Sequence, residues 1–206
     1  MRTALLLPIL MPLLLGSCGE ESKPTDTVSV NPNLKYWTKV DEVTITNCDE
    51  KTSGALIIPA TIEGKPVTVI DDAAFYERSG LTSITIPDSV TSIGGLAFSG
   101  CTGLTSISIG NGVASIGMSA FSSCSSLASI TIPDGVTSLG AAAFASCRSL
   151  TAVTFLGDAP RSMHQIGATG RGVFTHSSPT IYRKPEAKGW GETFGGRPVK
   201  LISEKP

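Results

Sequence analysis

The sequence predicts a β-rich solenoid of right-handed coils, and three observations predict it. Six apolar columns recur in phase every 23 residues over four copies. Within each copy, apolar residues alternate with small polar ones, the period of a half-buried strand. The composition agrees: of 206 residues 41% are apolar but only 6% aromatic and 16% charged, and 22 are glycine. That mix favours many short strands and turns over long helices.

Residues 1–17 read as a targeting segment. Arg2 supplies the positive start, and Ala4 to Leu15 the apolar run, twelve residues interrupted by Pro8 and Pro12. A spanning helix needs roughly twenty, so a permanent transmembrane segment does not fit. Two exported readings stand: a secretory signal cut after Ser17, or a lipoprotein signal. Leu15-Gly16-Ser17-Cys18 resembles the lipobox, whose cysteine becomes the lipidated first residue. That resemblance implies acyl chains on Cys18, enough together to anchor stably, and Gly19 in place of Asp implies outer-membrane delivery. Residues 18–35 carry no periodicity and are rich in Pro, Asn, Ser, Thr and charge, as a flexible tether would be.

Residues 36–66 read as an N-terminal cap. Trp37, Val43-Thr44-Ile45 and Leu56-Ile57-Ile58 have strand character, and Ile62-Glu63-Gly64-Lys65-Pro66-Val67 reads as a tight hairpin inserted into the first coil. Spacing supports the insertion, because Ile58 precedes Ile86 by 28 residues, one period plus five.

Residues 67–156 are the repeats. Phe75, Phe98, Phe121 and Phe144 form one column, and Leu81, Leu104, Leu127 and Leu150 another. One copy runs Leu81-x-x-Ile84-x-Ile86-Pro87, Val90-x-x-Ile93-Gly94, Ala97-Phe98-x-x-Cys101. Ile84 and Ile86 share one face of a strand that Pro87 ends. Val90 to Ile93 is a second extended piece, Gly94 permits the turn out of it, and Ala97-Phe98 begin a single helical turn. One coil alone buries too little to offset its ordering entropy, so stability must come from stacking. The period and these elements resemble the BspA-like class of bacterial surface leucine-rich repeats, strongly over residues 57 to about 156. The resemblance implies a cell-surface protein that contacts other molecules and is not an enzyme.

Residues 157–206 form an irregular last coil and a C-terminal cap. Ile166-Gly167 and Val173-Phe174 recover the pattern after a seven-residue insertion, since Phe174 follows Phe144 by 30. Tyr182, Trp190 and Phe194 are expected to cover the last coil.

Signals for chemistry are weak. The net charge of −1 offers no basic face for nucleic acid. The two histidines, His164 and His176, lie in the insertion-rich segment, and no Gly-x-Ser-x-Gly elbow accompanies them. Gly110, Gly112, Gly117 and the glycines from 167 to 172 lack the Lys-Ser/Thr of a phosphate loop and read as turn glycines. Cys101, Cys124 and Cys147 occupy one column and Cys48 stands alone. No Cys-x-x-Cys spacing suggests a metal, and no cofactor is implied. A disulfide between coils is sterically allowed, but an odd column cannot pair completely, so buried free thiols are expected. The acidic pairs Asp41-Glu42, Asp49-Glu50 and Asp71-Asp72 read as charge that solvates one end.

Two segments are candidates for binding. If Ile84 and Ile86 face inward, then Ser83 and Thr85 face out, followed by Ser106 and Ser108, Ser129 and Thr131, and Ala152 and Thr154. This flat hydroxyl face is either a solvated surface or a broad contact surface for protein or glycan. The second segment is the irregular last coil with Arg161, His164, Arg171 and His176. Three functions remain open: a surface lipoprotein for adhesion or protein contact, a structural envelope component without a ligand, and a hydrolase using the His164/His176 region.

Overall fold

The computed structural model describes residues 31–162 and 172–205. Cys18, His164 and Arg171, together with the leader and most of the tether, lie outside them. The described chain is a stack of coils, each with three sides: a front strand, a back strand and a leg of turns.

The front strands pair in parallel at the predicted step. Ser83 lies beside Ser106 and Ile84 beside Ile107, and further on Ser129 lies beside Ala152 and Thr131 beside Thr154. The back sheet runs through Val43–Cys48, Lys65–Ile70, Ser92–Ile93, Ser115–Ile116, Ser138–Leu139 and Arg161–Ser162. Leu34–Thr38 adds an antiparallel strand at its start, with Trp37 66% exposed. The inserted hairpin is present, with Thr61 opposite Pro66 and left-handed Glu63 and Gly64 at its tip. Around it Leu56 lies beside Ile84, the 28-residue step read from Ile58 and Ile86.

The phenylalanine column is a single file. Ring centroids lie 4.9 Å apart for Phe75–Phe98, 5.3 Å for Phe98–Phe121 and 5.4 Å for Phe121–Phe144, all nearly parallel. Phe174 continues the file at 5.8 Å. All five are buried. Against Phe155, Trp190 packs tilted at 4.9 Å and Phe194 edge-on at 5.6 Å.

Five expectations need correction. The leg beginning at Ala97-Phe98 is not a helical turn. Ala73, Leu96, Ser119 and Ala142 have φ of 55 or 56°, and a second column four residues on, from Glu77 to Ser146, is left-handed too. A right-handed helix cannot accommodate such residues every fourth position. Instead the leg alternates its donors. The N–H groups of Phe75 and Glu77 reach the next coil, at Ala97 O (2.7 Å) and Ser99 O (2.8 Å), while Tyr76 N–H bonds back to Ala73 O (3.0 Å). The third side is therefore an inter-coil ladder as well, which satisfies its buried backbone groups.

The glycines after the back strands are likewise not turn formers. Gly94, Gly117 and Gly140 have no positive φ. A Cβ on Gly94 would fall 2.6 Å from Asp72 N, and one on Gly117 2.5 Å from Gly94 C. Close backbone approach between coils requires them.

In the last coil, Ser162 takes the strand position after Leu139 that the pattern gives to Ile166, and Ile166 and Gly167 lie outside the described residues. Tyr182 does not join the aromatic cap: its neighbour Ile181 points into the core, which puts Tyr182 on the outer face. Finally, the front sheet is not continuous. Gly54–Ile57, Leu81–Thr85 and Ser106–Ser108 form one part and the strands from Ser129–Ile132 onward another. At the division Ile107 is only half-buried, whereas Ile84 and Ile130 beside it are buried.

Candidate functional site

The alternation of the front strands places small hydroxyls outside. Thr85, Ser106, Ser108, Ser129 and Thr131 are exposed and Ser83 partly so, as expected. Thr154 is not. It is only 3% exposed although it continues the column of Thr85, Ser108 and Thr131. Lys205 covers it, with Nζ 3.4 Å from Thr154 Oγ1 and 5.9 Å from the centroid of the Tyr182 ring. The accessible hydroxyl face thus ends one coil earlier than the repeat implies. Ile57, 70% exposed, extends its outer end beside Thr85.

The last-coil candidates do not converge. Arg161 is exposed at the end of the back sheet, its N–H donating to Thr137 O at 2.8 Å. His176 sits on the turn side, 30 residues after Ser146 and in the same left-handed conformation, φ 58°. Its position continues the turn column, and histidine is among the residues that tolerate this region best. Hydroxyl face, Arg161 and His176 therefore occupy three different sides of the stack. Among the described residues, no three His, Cys, Asp or Glu side chains are grouped to hold a metal ion.

The cysteine column is structural. The Sγ–H groups of Cys101, Cys124 and Cys147 donate to Phe75 O (3.1 Å), Phe98 O (3.2 Å) and Phe121 O (3.0 Å). All three are buried free thiols, as is Cys48, which donates to Thr52 Oγ1 at 3.3 Å. Sequence reasoning missed the last member of this ladder. Ser177 Oγ donates to Phe144 O at 2.7 Å and accepts from Cys147 N at 2.9 Å. Its spacing of 30 from Cys147, the same as that of Phe174 from Phe144, was the signal available.

Burial pushes the Cys101 and Cys147 thiols from an ordinary 9.0 up to about 12 and raises Cys124 as well. Such thiols hold no thiolate near neutrality and are chemically inert. Because the folded values lie above the unfolded one, the stability they contribute is whole below pH 9. It is lost as pH climbs from about 9 towards 12. Two outcomes are expected: no reaction with a disulfide reagent at pH 8 until denaturant is added, and a urea midpoint that falls across that alkaline window. Rapid labelling of the folded chain would show the column to be open to solvent.

A family model for the BspA type leucine rich repeat region matches residues 61–176 in six copies. Among solved structures, the chain is similar to the leucine rich repeat protein of T. pallidum, with 32% identity and a TM-score of 0.61, covering 73% of this chain and 68% of that one. A leucine-rich repeat protein from Bacteroides capillosus is 37% identical over 52% of this chain and 83% of its own, with a TM-score of 0.48. The pneumococcal vaccine antigen PcpA, at 18% identity and a TM-score of 0.50, covers 75% of this chain, which in turn spans 49% of PcpA. No curated protein matches the chain. Six matched repeats over more than half the sequence, and the stacked coils that carry them, show that the chain belongs to the BspA-type leucine-rich repeat family.

Proposed function

We propose that the protein is a non-catalytic cell-surface lipoprotein whose front sheet serves as a contact surface for another protein. The observation that carries this reading is the run of outward Ser and Thr side chains from Ser83 to Thr131. They stand exposed, Ser83 partly so, on strands held rigid by hydrogen bonds and by a predominantly apolar interior. Repeat solenoids use such extended surfaces for recognition. Short hydroxyl side chains lose little rotamer entropy on binding, so a flat partner can dock on them without a large ordering cost. The leader and Cys18 support the surface placement and the lipid anchor.

The contact reading is tested with the double variant Ser106→Arg/Ser129→Arg, which raises two long cations from the centre of the face without touching the core. Host-matrix and envelope proteins captured by the parent chain are expected to be lost with the variant. Equal capture would move the contact elsewhere, and no capture by either would favour a structural envelope component. The anchor is tested separately by mass spectrometry of the mature protein, which is expected to begin at an acylated Cys18; an unmodified Cys18 removes the anchor.

A further inference from the structure

We infer that residues 202–205 are an internal occupant of a peptide-binding subsite, formed on the outer front face by Thr154, Tyr182 and Lys200. The subsite takes a segment that makes a single tight turn, as Ile202–Glu204 does, with a carboxylate residue preceding a lysine. The inference rests on the front face being a contact surface and names its most specific part.

The register carries the first step. Thr154 lies beside Tyr182 and Tyr182 beside Lys200, so all three project from the same outward column. In the earlier coils that column is open to solvent at Thr85, Ser108 and Thr131, yet here Thr154 and Tyr182 are 3% and 6% exposed. What lies over them is the side chain of Lys205, and the residues around it are themselves exposed. Tyr182 is thus an aromatic anchor on a face otherwise made of small hydroxyls, the kind of residue on which interface energy concentrates.

The second step concerns how the strap is held. Lys205 N donates to Ile202 O at 3.2 Å within the strap, and Glu204 Oε1 accepts from Leu201 N, at the end of the last strand, at 3.0 Å. Across the outer face the Lys205 side chain makes the contact. A cation over an aromatic ring at a surface shifts an equilibrium by about two- to fivefold. The covalent link adds an effective concentration of order millimolar. Together these close the strap while leaving it displaceable by a competing segment. Charge sets the chemistry of such a competitor. Lys200 lines a cleft of about 430 Å³ with Arg183, Glu192 and Glu204; in the strap the acid closes the turn through Leu201 N and the ammonium lies over the ring. A segment of two basic residues would meet Lys200 unfavourably.

The test compares the full chain with a variant lacking residues 202–206, using nitration by tetranitromethane read at each tyrosine by mass spectrometry. Tyr36 and Tyr76 serve as internal references. Nitration of Tyr182 is expected to rise about fivefold in the shortened chain, the upper ratio that the ring contact supports. Adding the acetylated peptide Ile-Ser-Glu-Lys-Pro at millimolar concentration is expected to restore protection. The same peptide with norleucine for lysine is expected not to. Equal protection in the full and shortened chains, or equal protection by the two peptides, would overturn the subsite. Should the shortened chain lose its cooperative thermal transition, Lys205→Met in the full chain decides. Increased nitration of Tyr182 supports the inference and unchanged nitration rejects it. These readouts require no cellular partner, so they can fail while the Ser106/Ser129 test succeeds, and the reverse.

Discussion

Phe121→Ala is expected to lower the stability of the folded chain by about 3 to 5 kcal/mol, the range for emptying a large buried aromatic site. Phe121 is fully buried and stacks on both sides, against Phe98 at 5.3 Å and Phe144 at 5.4 Å. Each aromatic pair adds about 0.5 to 1.5 kcal/mol beyond the area it buries. Phe75 has only Phe98 in the file, at 4.9 Å, so Phe75→Ala is expected to cost less. Collapse cannot refill the gap at Phe121, because the back sheet and the leg ladder fix the coil spacing there on two sides. In a nearest-neighbour stack the loss also weakens coupling between the coils before and after it. Urea unfolding followed by circular dichroism should show a lower midpoint and a broader transition. An unchanged midpoint for Phe121→Ala would mean that the rings do not support one another.

Gly117→Ala is expected to cost up to about 3 kcal/mol, although it adds a single methyl group. The added Cβ would lie 2.5 Å from both Gly94 C and Gly95 N, which are backbone atoms and cannot swing away. The coils must separate on one side or the back ladder must break. Two comparisons isolate the cause. Gly191→Ala, whose nearest neighbour is Thr193 O at 3.7 Å, is expected to be close to neutral. Gly64→Ala has open space around it but φ of 75°, and is expected to cost about 1 to 2 kcal/mol through backbone conformation alone. Thermal unfolding of the three variants should rank Gly117 first, Gly64 second and Gly191 last. A neutral Gly117→Ala would show that the coils are not in close backbone contact there.

Those glycines mark where sequence reading stops. Gly64 announces its role, because Glu63-Gly64 between apolar alternations is a hairpin signal and the hairpin is there. Gly117 gives no such local sign: its need is imposed by Gly94 and Gly95, one coil away. The hydroxyl face shows the same division. Ser106, Ser108, Ser129 and Thr131 were legible as outward residues from alternation alone. The covering of Thr154 was not, since the side chain responsible, Lys205, is 51 residues distant. Nor could the helical turn expected at Ala97 be corrected from propensity, because Leu, Ala and Ser give no sign of left-handed backbone.

By itself the sequence determined the period, the inward and outward residues of the repeat strands, the file of phenylalanines and the inserted hairpin. All of these follow from short-range alternation repeated at a constant step. Only the tertiary structure decided which glycines separate coils, which residue of the last coil takes the strand position after Leu139 and how much of the hydroxyl face stays open. Each of those depends on atoms brought together by stacking, whose distances are set by hydrogen bonds between coils and not by neighbours along the chain.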